Sequence, residues 1–334
     1  MKNNNPLISV ILPVYNVEKY ILQCLESISN QTYTKLEVII VVDGATDKSY
    51  KIAKDYLEKD NRFHLIYQEN AGSGPARNNG LNHANGEFVI FIDPDDWIKN
   101  DYIETLYKIY LANNVDLVIT SGTDIFFDNQ DNIIKKIHKD IPEIKLNTKE
   151  EARDNYIKLY SLNMLSGPAQ KLYRMEIIRK YNIEFPALRR SQDIVFNYRY
   201  YNHINSLKSI NYQGYQYRIN KSSYASKLPE NYYCIIGQIY SEIKSLHDSW
   251  NITLEDTTLS NICFSSIINY IESMIIRKHK YSQNLNNPII KHIIETADPH
   301  NIYKKIIHLL LKKKLYFIVN LIIKSKILAK RIYY

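Results

Sequence analysis

Three cysteines, at 24, 234 and 263, are too few and too scattered among 334 residues for a disulfide framework. No Cys-x-x-Cys pair offers a zinc site, and such a chain suits a reducing cytoplasm. No apolar run reaches the length expected of a membrane-spanning helix. The one early apolar stretch, Leu7 to Tyr15, is interrupted by Pro13 and lacks a small-residue cleavage pattern, so it does not read as a secretion signal. A Walker phosphate loop and a Gly-x-Ser-x-Gly elbow are both missing, which removes P-loop hydrolysis and α/β-hydrolase chemistry. Acidic residues are missing from 301–334, where nine Lys or Arg stand. That gap accounts for the net charge of +8, because the rest of the chain holds 34 basic against 35 acidic residues. The body is neutral, so the overall basicity does not point to a nucleic-acid partner.

What is present describes a globular protein, with 45% hydrophobic and 23% charged residues and length for about two domains. Strand-like and helix-like stretches alternate from the start. Ile8–Pro13 reads as a strand, Glu18–Ser29 as a helix with Asn16 as its cap, Leu36–Val42 as a strand, Lys48–Lys59 as a helix and Phe63–Tyr67 as a strand. This is the pattern of a parallel α/β sheet, in which right-handed crossovers bring Tyr15, Asp43 and Asp93 to one edge. Further on, 101–112 reads as a helix, 115–121 as a strand, 126–146 as a hairpin or loop region and 149–162 as a helix. A short strand over 167–173, a helix starting at Ser191 and a strand over 212–219 follow. From Pro229 onward the pattern is helical.

Three stretches carry chemistry. Phe88–Ile92 is an apolar run without alternation, which suits a central strand, and it ends in Asp93-Pro94-Asp95-Asp96. If the extended backbone persists, Asp93 and Asp95 share a face and suit a hard divalent cation. The same tetrapeptide also reads as a plain β-turn with a spare aspartate. Asn70-Ala71-Gly72-Ser73-Gly74-Pro75-Ala76-Arg77 begins as a glycine loop and continues as a helix, with Arg77 available to a phosphate or to a neighbouring carboxylate. Asp193, in the first turn after Ser191-Gln192, reads as a carboxylate that complements a helix dipole.

Taken together, residues 7–223 resemble the inverting nucleotide-sugar glycosyltransferases of glycosyltransferase family two, the bacterial surface-polysaccharide type with the GT-A fold. Pro13-Val14-Tyr15-Asn16, Val42-Asp43-Gly44-Ala45-Thr46-Asp47, Ala76-Arg77-Asn78 and Asp93-Pro94-Asp95-Asp96 occur in the family's order. Lys171-Leu172-Tyr173 followed by Ser191-Gln192-Asp193-Ile194-Val195-Phe196 is similar to a pair found in wall and capsule transferases. The resemblance implies a Rossmann-like, mostly parallel sheet flanked by helices over 1–225, and a helical C-terminal region over 226–334. It implies Pro13, Tyr15, Asp43, Arg77 and Asp93 at the nucleotide sugar, Asp93 and Asp95 at Mn²⁺ or Mg²⁺, and Asp193 as catalytic base. The departures are Val42 and Gln192 where the family has acids, and Pro94 where it has serine.

The expected reaction moves a hexosyl or N-acetylhexosaminyl group from a nucleoside-diphosphate sugar, a UDP-sugar favoured, to a hydroxyl of a cell-surface glycan. Capsule, lipooligosaccharide, wall polymer and lipid-linked glycan all remain open as acceptors. Two other functions stay open beside it: a sugar-phosphate nucleotidyltransferase and a catalytically degenerate, membrane-associated glycan-binding subunit. The first would need a basic glycine-rich loop after the first strand, which Pro13-Val14-Tyr15-Asn16 does not supply. In the tail, Ile302, Ile306, Leu309 and Leu310, then Leu315, Ile318, Ile322 and Leu328, alternate with lysines. Such a stretch suits either the anionic cytoplasmic face of the inner membrane or the solvated face of ordinary core helices.

Overall fold

Branched and aromatic runs of four to eight residues form the centre of the sheet. In the computed structural model, which describes residues 5–128, 130–188, 190–219, 228–253 and 255–333, four strands lie parallel in the order β3-β2-β1-β4. They are β1 (Ile8–Val14), β2 (Leu36–Asp43), β3 (Phe63–Gln68) and β4 (Phe88–Phe91). Strands β1, β2 and β4 are buried along their whole length, as their unbroken apolar sequences require. The crossovers are α1 (Ile21–Ser29), α2 (Ser49–Leu57) and α3 (Ser73–His83). Helix α1 buries Ile21, Cys24, Leu25 and Ile28, the spacing of one helical stripe, while Leu22 faces solvent. Asn16 does not cap α1. The helix starts after Tyr20, and Asn16 adopts φ 49° while its Oδ1 accepts from the amide of Thr46 at 2.8 Å.

A buried carboxylate fixes where β4 begins. Glu37 Oε1 accepts from Ser9 Oγ (2.5 Å), the Asn85 amide (2.5 Å) and the Gly86 amide (2.8 Å). Burial alone would raise the Glu37 pKa, but these bonds outweigh it and hold the group below its ordinary value. A Cβ on Gly86 would lie 2.5 Å from Ser9 Oγ, so this junction needs glycine.

Beyond β4 the elements are β5 (Trp97–Ile98), α4 (Tyr102–Asn113), β6 (Leu117–Phe127), β7 (Ile133–Lys139), β8 (Lys145–Leu146) and α5 (Lys149–Ser161). After them come β9 (Lys171–Arg174), α6 (Met175–Lys180), α7 (Gln192–Tyr201) and β10 (Leu207–Ile219). The sheet continues β4-β9-β6-β10-β5. Strand β9 runs antiparallel to both neighbours, whereas β6 and β10 are parallel, so the sheet is mixed but built on a parallel centre. The stretch expected to be a hairpin or loop is indeed a hairpin, with β7 antiparallel to β6 and β8 antiparallel to β10.

Contacts divide the chain into two compact units, Met1–Lys221 and Ser222–Tyr334. The polar stretch Lys221-Ser222-Ser223 and the boundary expected at 225 lie outside the described residues. The second unit is helical: α8 (Tyr232–Ser249), α9 (Asp256–Ile276), α10 (Pro288–Thr296), α11 (Ile302–Lys312) and α12 (Tyr316–Tyr333). Contrary to the sequence expectation, α9 is long and apolar enough to cross a membrane by length and composition. It packs against α8, α10 and α12 and buries Leu259, Phe264, Ile267 and Ile271. The tail helices are buried on one face and exposed on the other. Ile307, Leu311, Val319 and Ile323 are buried, while Ile302, Ile306, Leu309, Phe317, Leu321 and Leu328 are exposed.

Candidate active site

The loops that follow β1 and β2 are tied together by side chains bonding backbone amides. Asn16 bonds Thr46, Asp47 accepts from the Glu18 amide, Glu18 accepts from the Lys48 amide and Ser49 Oγ from the Val17 amide. Above them Tyr15 is 49% exposed, an aromatic face open to a planar partner. Asp43 closes β2 and is buried. Its Oδ1 accepts from Gln68 Nε2 and the Ala71 amide, and its Oδ2 from the Gly72 amide, all at 2.8 Å. The carboxylate thereby shapes the glycine loop, in which Gly72 has φ 99°, a conformation that disfavours any side chain. Pro13, Tyr15, Asp43, Gly72, Ser73 and Leu188 line a cleft of about 530 Å³ here.

The acidic tetrapeptide takes the turn rather than the extended option. Strand β4 ends at Phe91, and the Asp96 amide donates to the Asp93 carbonyl at 3.0 Å across Pro94 and Asp95. Proline's fixed φ favours that closure, so Asp93 and Asp95 do not share a face by strand alternation. Asp96 is turned inward. Its Oδ1 accepts from the Arg218 amide (2.8 Å) and its Oδ2 from Tyr215 Oη (2.9 Å). Burial, then repulsion from Asp95 and Asp93, pushes its pKa well above the carboxylate range. The Cys24 thiol is pushed up by burial and by the same three acids.

Arg77 lies in α3 and is 5% exposed. One guanidinium nitrogen donates to Asp93 Oδ1 at 2.6 Å, the Phe185 ring lies 5.4 Å away, and its Nε is buried with no hydrogen-bond partner among the described residues. The next residue, Asn78, exchanges two bonds of 2.8 Å with the backbone of Phe185. That backbone leads into α7, which is seated by aromatic packing. Phe91 at the end of β4 meets Tyr173, Phe185 and Phe196 at 5.2–5.7 Å, and Phe185 stacks on Phe196 at 4.0 Å. Tyr173 Oη donates to Asn197 Oδ1 at 2.7 Å, and Gln192 Nε2 donates to Ser73 Oγ at 2.6 Å, leaving Gln192 Oε1 buried without a partner among the described residues.

These contacts seat α7, whose first turn holds Asp193. Burial raises the Asp193 pKa, Arg77 opposes that rise and Asp93 adds to it. Lys171 is buried in the same region, its Nζ donating to the carbonyls of Gly167 (2.5 Å) and Ala169 (3.4 Å). Burial lowers its pKa to about 7, with the Asp193 charge opposing. Ser191 stands at the cap position of α7 in a left-handed conformation, φ 61°, without a side-chain cap bond.

Sequence reasoning overlooked Tyr215 and Arg218. Arg218 underpins the acidic turn, donating from Nε to the Asp95 carbonyl at 3.2 Å, with its guanidinium 4.1 Å from the Phe127 ring. The alternation of Tyr215, Tyr217 and Ile219 was the available signal, but only the pairing of β10 with β5 shows what it meets. Among the described residues no group of three or more His, Cys, Asp or Glu is arranged around one metal position. Asp96 is committed to Tyr215 and Arg218, and Asp93 Oδ1 to Arg77. The turn's Asp93 and Asp95 carry the carboxylate oxygens that a hard divalent cation takes as donors. One or two hard carboxylates completed by water and phosphate oxygens fit Mg²⁺ or Mn²⁺.

Comparison with known proteins identifies the class. Residues 9–181 match the glycosyl transferase family 2 domain, and the chain belongs to that family. It is 38% identical to EpsH of Bacillus subtilis (strain 168) over 68% of this chain and 66% of that one. It is 34% identical to the glycosyltransferase GlyA of Streptococcus pneumoniae serotype 4, over 74% of this chain and 36% of that one. The chain thus spans between about a third and two thirds of these relatives' length. In fold it is similar to Staphylococcus aureus TarS 1-349 in complex with UDP, with TM-score 0.62 and 23% identity over 96% of this chain and 91% of that one. TarS of that species is named as a poly(ribitol-phosphate) beta-N-acetylglucosaminyltransferase and is 28% identical over 70% of this chain and 40% of its own.

Proposed function

We propose that this chain is an inverting glycosyltransferase that moves a sugar from a nucleoside-diphosphate sugar, a UDP-sugar by preference, to a hydroxyl of a bacterial cell-surface glycan. One observation carries the reading: Asp193 and Asp93 face each other electrostatically around Arg77, and the glycine loop leading into Arg77's helix borders the cleft framed by Tyr15 and Asp43. The UDP complex of TarS, similar in fold, and the sugar-polymer acceptor in that protein's name support the donor and acceptor class. Residues 1–225 form the nucleotide-sugar-binding and catalytic domain in this proposal, and 226–334 a helical region whose basic tail rests on the cytoplasmic face of the inner membrane.

In this mechanism Tyr15 stacks on the base, and Asp43, its carboxylate already holding the 71–72 amides, reads the base from its remaining lone pair. Arg77 holds Asp93 in place for the sugar-nucleotide and supplies positive charge beside it. Mn²⁺ or Mg²⁺, held by Asp95 and Asp93, would neutralise the departing diphosphate. Asp193 takes the proton of the acceptor hydroxyl as its oxygen bonds to C1 and the C1–diphosphate bond breaks on the opposite face. Burial makes Asp193 a stronger base, and Arg77 keeps it ionisable.

Titration calorimetry with UDP, GDP and dTDP, each with and without Mn²⁺, tests the donor. UDP is expected to bind most tightly and to gain affinity with metal. Failure of all three to bind would overturn the assignment.

A further inference from the structure

Within the second unit a hollow of about 600 Å³ opens between the C-terminal end of α9 and α12, and it belongs to none of the motifs above. Its floor is apolar, with Ile275, Ile276 and Ile327, and Tyr281 is buried at its side, Oη donating to Asn320 Oδ1 at 3.0 Å. Its rim is cationic. Lys278, Lys280 and Lys324 are all exposed, and none forms an ion pair with another described residue. His279 on the same rim is engaged by Glu230 at 3.0 Å, so the lysines carry the net positive charge.

The surface next to this hollow is not that of a solvated helix. On α12, Phe317, Leu321, Lys324 and Leu328 fall within one narrow stripe at helical spacing, and the three apolar members are 74%, 52% and 59% exposed. Lys324 and Leu328 belong both to the stripe and to the hollow. On α11, Ile302, Ile306 and Leu309 form a second exposed stripe. The opposite faces of both helices are already buried by Ile307, Leu311, Val319 and Ile323, so the stripes are not needed to hold the helices in place. Exposed apolar stripes flanked by lysines, without any acid over 301–334, complement a surface that is apolar within and anionic at its edge.

We propose that the α9–α12 hollow binds the phosphate headgroup of an anionic membrane lipid, with Lys278, Lys280 and Lys324 on the phosphate and the Phe317–Leu321–Leu328 stripe in the acyl boundary. The site rests on the membrane reading of the tail given above and deepens it from diffuse attraction to a defined pocket. The apolar floor and the continuous stripe select a lipid phosphate over a soluble one.

The experiment is partition of the full chain onto phosphatidylcholine vesicles with and without phosphatidylglycerol. Wild type is expected on the anionic vesicles only. Combined Lys278→Ala, Lys280→Ala and Lys324→Ala should lower the partition coefficient roughly a hundredfold, about fivefold per lysine. Combined Lys312→Ala, Lys313→Ala and Lys314→Ala, equal in charge but outside the hollow, should lower it much less. Equal losses in the two triple variants would overturn the pocket and leave only diffuse attraction. No partition by wild type would overturn both the pocket and the membrane reading. In a separate titration, dihexanoyl phosphatidylglycerol should bind wild type but not the first triple variant, and inorganic phosphate at the same concentration should not bind. Phosphate binding as tightly as the lipid would overturn the lipid assignment. All six lysines are exposed, and unchanged circular dichroism and Tm would confirm that both variants fold.

Discussion

Replacing Asp193 by asparagine tests the proposed chemistry most directly. Asparagine keeps the shape of the side chain, and the contacts that seat α7 belong to other residues: Phe196 on Phe91 and Phe185, Asn197 on Tyr173, Gln192 on Ser73. The fold should therefore survive. The nucleoside cleft is lined by Pro13, Tyr15, Asp43 and the 70–73 loop, without Asp193, so affinity for UDP should be unchanged. Only proton acceptance is lost. A positioned general base contributes about 10²–10⁴ in rate, which is about 3–5 kcal/mol of barrier, and kcat should fall by that factor. The pH profile adds a second readout. Burial raises the Asp193 pKa, and only the ionised form can take a proton, so wild-type kcat/KM should fall as pH drops through that raised value. The residual activity of Asp193→Asn should lack that limb. Nucleotide release in the presence of acceptor, followed from acid to neutral pH, measures the rate, and calorimetry with UDP measures binding. Turnover within about threefold of wild type would refute Asp193 as the base.

Three other outcomes follow from the same geometry. Arg77→Met leaves Asp93 unpaired beside Asp193; because the Asp93 carboxylate is 33% exposed, the loss should be about 2 kcal/mol, less than for a fully buried pair. A fall in Tm of roughly 4–8 °C with weaker UDP binding is expected, and an unchanged Tm would refute the role of the pair. Asp96→Asn should gain stability relative to wild type as pH rises. The wild-type pKa is raised by burial, so stability that is full below the unfolded value near 3.8 is lost as pH climbs through the folded one, and asparagine has no such loss. Urea titrations of both proteins at several pH values would show whether the difference grows. Gly80→Ala puts a Cβ 2.5 Å from Ile11 Cγ2, between α3 and β1; the overpacking should cost about 1–3 kcal/mol and lower the urea midpoint, and an unchanged midpoint would contradict it.

Much of the first unit was readable from local pattern. Strands β1, β2 and β4 are continuous apolar runs because both faces of a parallel sheet are covered. The helical period of α1 was legible too, and Ile21, Cys24, Leu25 and Ile28 form its buried stripe. Where side chains rather than periodicity decide, local pattern misassigned the role of Asn16 and left the acidic tetrapeptide open between two forms. Asn16 is a loop tie, not a cap, because its partner Thr46 comes from another crossover. The acidic tetrapeptide turns, because Tyr215 and Arg218, some 120 residues later, bind Asp96 inward. The apolar character of α9 was missed because scattered Ser, Thr and Asn hide it from a search for unbroken runs.

From the sequence alone came the order of the motifs, the α/β class, the family and the separation of a neutral body from a basic tail. All of these are carried by residue identity and short-range spacing. Only tertiary structure decided that Arg77 pairs with Asp93, that Asp43 is engaged in shaping the glycine loop, that Asp193 arrives beside the acidic turn and that half of each tail helix is core. Those facts depend on contacts between residues tens to more than a hundred positions apart. Such contacts are set by how the sheet orders its strands and how the aromatic rings pack, which no local window of sequence contains.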